Sequence, residues 1–121
     1  MKDKLEEYEH TAYLPNCYDS PKTEDNMKIL GSKEHAKFKA AKYKQSEQTI
    51  QNVDAVLVLN HTKNGIAGYI GGATFLEMYD AFRLGKKIYM YNDVYEGISS
   101  IADEIIGFSP VIINGDVSKI K

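Results

Sequence analysis

Apolar and polar positions along the chain alternate between two periods. Residues 53–60, Val53-Asp54-Ala55-Val56-Leu57-Val58-Leu59-Asn60, hold a continuous aliphatic run between polar ends. That is the pattern of a strand buried on both faces. Before it, a lysine-rich segment opens at Ser32, an N-cap residue type, and reads as helix to about Asn52. Ala36, Ala40, Tyr43 and Ile50 fall on one stripe of that helix. After the run, the glycine-rich segment 65–72 leads into a helix predicted over 74–84 and ended by Gly85. Taking about 100° per residue, its core stripe is Phe75, Met78, Tyr79 and Phe82. Strands are predicted at 88–91 and 111–113, with a short helix at 98–106 between them. Residues 2–9 read as the end of a polar helix and 11–14 as a short strand stopped by Pro15-Asn16. Residues 16–31 have the composition of a loop.

Strand, helix, strand, helix, strand is the order of a parallel sheet with right-handed crossovers. The expectation is a small single α/β domain over residues 1–121. Its architecture is doubly wound and flavodoxin- or Rossmann-like, with a mainly parallel sheet of about four strands. Such sheets bind ligands at the carboxyl ends of their strands, which points to residues 60–77.

Composition removes several classes. The 121 residues are 43% hydrophobic and 26% charged, ordinary globular values. The longest aliphatic run, Ala55–Leu59, falls far short of the roughly 20 residues of a membrane helix. No apolar stretch follows the N-terminus as in a signal peptide. The one cysteine, Cys17, has no internal partner, and no Cys/His cluster is spaced for zinc. A soluble cytoplasmic protein without a metal is expected. The net charge of −2 masks a basic segment with Lys33, Lys37, Lys39, Lys42 and Lys44. No arginine interleaves these lysines, so a solvated helix face fits as well as a phosphate-binding patch, and nucleic acid is not the expected partner.

Candidate chemistry gathers after the buried run. The segment Asn60-His61-Thr62-Lys63-Asn64-Gly65-Ile66-Ala67-Gly68-Tyr69-Ile70-Gly71-Gly72 is neither a Walker A loop nor a GxGxxG fingerprint. Its glycines still permit close backbone approach to a ligand. A helix starting at Thr74 would offer unpaired N–H groups to an anion or a ribose hydroxyl. Glu77 carries two readings. Thr74-Phe75-Leu76-Glu77 matches a capping box, in which Glu77 bonds back to the Thr74 N–H. On the predicted stripe, however, Glu77 lies opposite the core among Ala73, Ala81 and Leu84, where a carboxylate can face a cleft. Asp54 opens the buried strand and can orient a polar ligand. His61 lacks an identified carboxylate partner. Among nine tyrosines, Tyr69, Tyr89 and Tyr91 suit a half-wet cleft where a ring stacks on a base.

Three stretches together resemble the nucleoside 2-deoxyribosyltransferase superfamily, which includes the 2'-deoxynucleoside 5'-monophosphate N-glycosidases. They are Asp54–Asn60, then Gly68-Tyr69-Ile70-Gly71-Gly72-Ala73-Thr74-Phe75-Leu76-Glu77, then Ala81 with Gly85-Lys86-Lys87-Ile88. The shared outline covers residues 35–115 and is densest over 54–91. The resemblance implies that Glu77 is a nucleophile attacking the anomeric carbon of a 2'-deoxynucleoside or deoxynucleotide. Asp54 then helps to arrange the base. Asn60, Gly68, Tyr69, Gly71, Gly72 and Thr74 hold the substrate, and no cofactor is needed. No Asp or Glu stands between Asn60 and Glu77, where family transferases often carry one.

Residues 1–9 read as the helix that follows the family's first strand, so that strand is not read in this chain. The expectation that follows is a homodimer or higher homo-oligomer that completes or covers the sheet across an interface. The alternative to catalysis is a nucleotide- or nucleoside-binding module, or a structural oligomerisation domain, without the activity.

Overall fold

Branched and aromatic residues place three short segments in extended conformation. β1 is Ala55–Val58, β2 is Lys87–Met90 and β3 is Val111–Ile112. Helices are α1 (Lys2–Glu7), α2 (Ser32–Gln51), α3 (Gly72–Arg83) and α4 (Ser99–Gly107), and a 3₁₀ turn spans Val117–Lys119. The computed structural model describes residues 1–12, 32–93 and 99–120. Two compact units divide the chain, residues 1–49 and 50–121. No described helix is long and apolar enough to cross a membrane.

The sheet belongs to the second unit and runs β1-β2-β3, parallel throughout. Val56 pairs with Ile88, Val58 with Met90, and Met90 with Ile112, so these five side chains share one face. Met78 and Ala81 of α3 and Ile105 of α4 join Ile50, Val58, Ile70, Ile88 and Met90 in one buried cluster, with the partly buried Ile66 packed against it. Both crossover helices therefore cover the same face. Strand order that advances in one direction with right-handed crossovers requires this. Helices on both faces, which a doubly wound sheet needs, do not occur within residues 50–121 as described. The sheet has three strands among the described residues, against an expected four. Of the strand expected at 11–14, Thr11 and Ala12 belong to no element and residues 13–14 lie outside the described residues.

α3 begins two residues earlier than the expected 74, with Gly71 as its N-cap. It ends as expected at Gly85, which adopts φ 72°. The Gly85 N–H donates to the Phe82 carbonyl (3.1 Å) and the Lys86 N–H to the Ala81 carbonyl (2.8 Å), the paired bonds of a Schellman motif. Its buried stripe is rotated from the expected one. Met78 and Ala81 are 0% exposed, whereas Tyr79 and Phe82 are 50% and 51% exposed. Alanine at the contact lets the helix backbone come close to the sheet, and the bulky rings move to the flank. There Phe75, Tyr79 and Phe82 surround Phe108, with ring centroids 5.7, 6.4 and 5.5 Å away.

In the first unit, α2 departs from its predicted stripe as well. Ala36, Ala40 and Tyr43 are exposed while Ile50 of the same stripe is buried, and the half-buried positions are His35, Phe38, Lys39, Lys42, Ser46 and Glu47. Lys39 lies over the Tyr43 ring (5.6 Å) and Lys42 over the Phe38 ring (5.5 Å). Their stems thus cover apolar surface on their own helix.

The rotated α3 stripe has a measurable consequence. Met78→Ala is expected to cost about 2–5 kcal/mol in chemical denaturation, while Phe82→Ala costs less than half as much. Equal losses would restore the stripe centred on Phe75, Tyr79 and Phe82.

Candidate functional site

The carboxyl ends of β1 and β2 are held together by two asparagines. The Asn92 N–H donates to Asn60 Oδ1 (2.8 Å), and Asn60 Nδ2 donates to the Asn92 carbonyl (2.8 Å). Asn92 Nδ2 in turn donates to the Asn60 carbonyl (3.1 Å). Asn60 is 1% exposed, so a buried amide that stops bonding here would carry its full desolvation penalty. Expected as a substrate ligand, the Asn60 side chain is instead committed to the exit of β2.

From this lock the loop runs out and returns to the core. The His61 ring meets Tyr91 edge-on at 4.9 Å. Lys63 and Ile66 exchange both backbone bonds (3.1 and 2.9 Å) around Asn64 and Gly65, whose φ values are 54° and 76°. This is a two-residue type I′ turn, and the Asn-Gly pair is its sequence signal. Gly68 is buried with φ 65°, a conformation that side chains rarely adopt. The Tyr69 ring lies against Gly71, where a β-carbon would stand 3.6 Å from Cε1, and Lys63 Nζ sits 5.5 Å from the ring centre. Ile70 is buried and anchors the loop before Gly71 caps α3.

This geometry removes the capping-box reading of Glu77 and changes the premise of the other. With Gly72 as the first helical residue, Thr74 stands inside the first turn and has no free N-cap position to offer. A capping box would need its glutamate at the third helical position, and Glu77 lies a turn further on. Nor does Glu77 lie opposite the core. It shares the inward side of α3 with Thr74, Met78 and Ala81 and is half-buried. Burial raises its pKa above the ordinary carboxylate value, and the neighbouring Asp80 carboxylate adds to the rise. Asp80 itself pairs with Arg83 at 3.4 Å. Among the described residues, Glu77 has no hydrogen-bond or ion-pair partner.

Gly68, Tyr69, Gly71, Gly72, Thr74 and Glu77 are thus brought to one stretch, the end of the loop and the first turns of α3. Asp54 is not. It is exposed at the amino end of β1, on the order of 15 Å of strand from the carboxyl end where the loop leaves. Among the described residues, no group of three His, Cys, Asp or Glu side chains is placed to hold a metal ion. No protein-family model, curated protein or solved structure matches the chain. The asparagine lock and the I′ turn are the parts that sequence reading misses. The Asn-Gly pair signals the turn, but nothing local marks Asn92 as the partner of Asn60.

Two stability measurements probe this arrangement. Asn92→Ala is expected to cost about 1–3 kcal/mol, and adding Asn60→Ala should cost much less than the sum of the two. Glu77→Gln should instead stabilise the protein at neutral pH. The folded state keeps the Glu77 proton at pH values where the unfolded chain has lost it. Stability therefore falls as pH rises from the ordinary carboxylate range through the raised value. The advantage of glutamine should vanish in acid below that range, and denaturant melts across pH would show it. A glutamine variant less stable at neutral pH would return Glu77 to a capping role.

Proposed function

We propose that the protein cleaves or exchanges the N-glycosidic bond of a 2'-deoxynucleoside or deoxynucleotide, with Glu77 as nucleophile. The observation that carries this reading is a half-buried carboxylate without a hydrogen-bond or ion-pair partner among the described residues. It stands one turn inside a helix that opens directly from a glycine loop. Burying such a group costs stability, and a bound substrate developing positive charge would offset that cost. The resemblance over residues 54–91 supplies the reaction class.

In the proposed step, a Glu77 oxygen forms a bond to the anomeric carbon as the bond to the base nitrogen breaks. The base leaves with the electron pair and takes up a proton. Positive character on the ring is greatest midway, where the carboxylate stabilises it best. Water or a second base then displaces Glu77 from the sugar. Gly68, Gly71, Gly72 and Thr74 offer backbone and hydroxyl groups to the sugar or a 5'-phosphate. Tyr69 offers a ring face, and Asn60 acts through the lock rather than by contact. Asp54 has no part in the bond-breaking step. The reading extends to a fourth strand, a doubly wound sheet, a homo-oligomer and a cytoplasmic location.

Chromatographic detection of free base from a panel of deoxynucleosides and their 5'-monophosphates tests this. Glu77→Gln should lower base release by roughly a thousandfold or more. Because the ionised carboxylate is the nucleophile, activity in the native protein should rise with pH through the raised Glu77 pKa, above the ordinary carboxylate range. No base release, with a ligand-dependent rise in melting temperature, would replace the enzyme with a binding module.

A further inference from the structure

The chain contains two Asn-Gly pairs, Asn64-Gly65 and Asn114-Gly115, and the structure treats them differently. Both form left-handed turns, with φ 54° and 76° at the first and 47° and 78° at the second. In each, the N–H after the glycine closes the turn, Ile66 to the Lys63 carbonyl (2.9 Å) and Asp116 to the Ile113 carbonyl (2.9 Å). Backbone conformation alone does not separate them. Their surroundings do.

Asparagine before glycine can modify itself. The glycine backbone nitrogen, having lost its proton, attacks Cγ of the asparagine side chain and expels ammonia, closing a five-membered succinimide. Water then adds to either carbonyl and opens the ring to aspartate or isoaspartate. Ring closure needs a free nitrogen and rotation about the asparagine Cα–C bond, hence opening of the turn.

The Gly65 nitrogen meets the first need. Asn64 and Gly65 are both exposed, nothing lies within 4 Å of a β-carbon built on Gly65, and its N–H has no partner among the described residues. The Gly115 nitrogen does not meet it. Its N–H donates to the Tyr91 carbonyl (3.1 Å), and the Tyr91 phenol lies over Gly115, 3.3 Å from where a β-carbon would stand. Opening this turn means breaking that bond and displacing a ring that also contacts His61. Opening the Asn64 turn breaks only its own small hairpin.

We propose that Asn64 is a site of spontaneous deamidation and isoaspartate formation in the folded protein, and that Asn114 is protected from it by Tyr91. The product places a carboxylate in a loop that has none between Asn60 and Glu77. It stands beside Lys63, which otherwise sits over Tyr69. The isoaspartate form also lengthens the backbone within the turn, so the Lys63–Ile66 pairing is lost. The proposal stands whether or not Glu77 is catalytic.

The test incubates the native full-length protein in mildly alkaline buffer at body temperature, with peptide mapping by mass spectrometry over time. A parallel sample is held in denaturant. In the native protein the peptide containing Asn64 should gain the mass of an amide-to-acid exchange, with isoaspartate among the products. The peptide containing Asn114 should react about tenfold more slowly or less, and denaturant should bring the two rates together. Equal native rates, faster reaction at Asn114, or no reaction at Asn64 would overturn the proposal. Asn64→Gln should abolish the change at that peptide and leave the slow reaction at Asn114 unaltered.

Discussion

Where two parallel strands end, their backbones must part, and the last N–H and carbonyl groups lose the ladder that satisfied them. In this protein the amides of Asn60 and Asn92 take over at that point, each bonding the other residue's main chain. The pair acts as one more rung, made from side chains, at the carboxyl edge of the sheet. Because Asn60 is buried, the rung is far stronger than the same bonds in water. It sets the direction in which the loop after β1 leaves, and so where α3 starts. The position of Glu77 depends on it.

Glycine and alanine serve close approach rather than flexibility along this path. Gly68 takes a backbone conformation closed to most side chains, and Gly71 caps α3 under the ring of Tyr69. Ala81 then brings the same helix close to the sheet. The aromatic residues, displaced from that contact, collect around Phe108 at the flank. Glu77 lies on the close side, next to Met78, so its carboxylate loses water that an outward position would keep. Its raised pKa is a direct result of how tightly α3 is drawn in.

Much of the architecture could be read from the residues because its signals are local. The aliphatic run at 55–59 specified a strand but not its burial on both faces, since Val58 is buried, Ala55–Leu57 are half-buried and Leu59 is exposed. Gly85 specified the end of a helix through its left-handed φ. Helix faces were harder. The stripe through Tyr79 and Phe82 assumed that the largest apolar groups lie deepest, whereas the narrow contact selected Ala81. Thr74 and Glu77 had the spacing of a capping box, but Gly71 and Gly72 had already begun the helix. Of the candidate site, Glu77 and the glycines could be named from the sequence because they are local to one loop and one helix. Asn92 was not, since its role exists only across the sheet. Asp54 adjoins β1 at the end opposite the one where the loop leaves.

The strand order has a kinetic meaning. Each strand in β1-β2-β3 pairs with the one that follows it in the chain, through a single helix. Among the described strands every pairing partner is the adjacent strand in the chain, so no contact within the sheet spans more than one crossover. Loop-closure entropy is therefore met in two comparable instalments, and the first closure already joins β1, α3 and β2 around Met78 and Met90. The second adds α4 and β3 to a surface that the first has prepared. Pairing of this kind keeps the sequence separation of strand contacts in residues 50–121 short, the property that goes with faster folding.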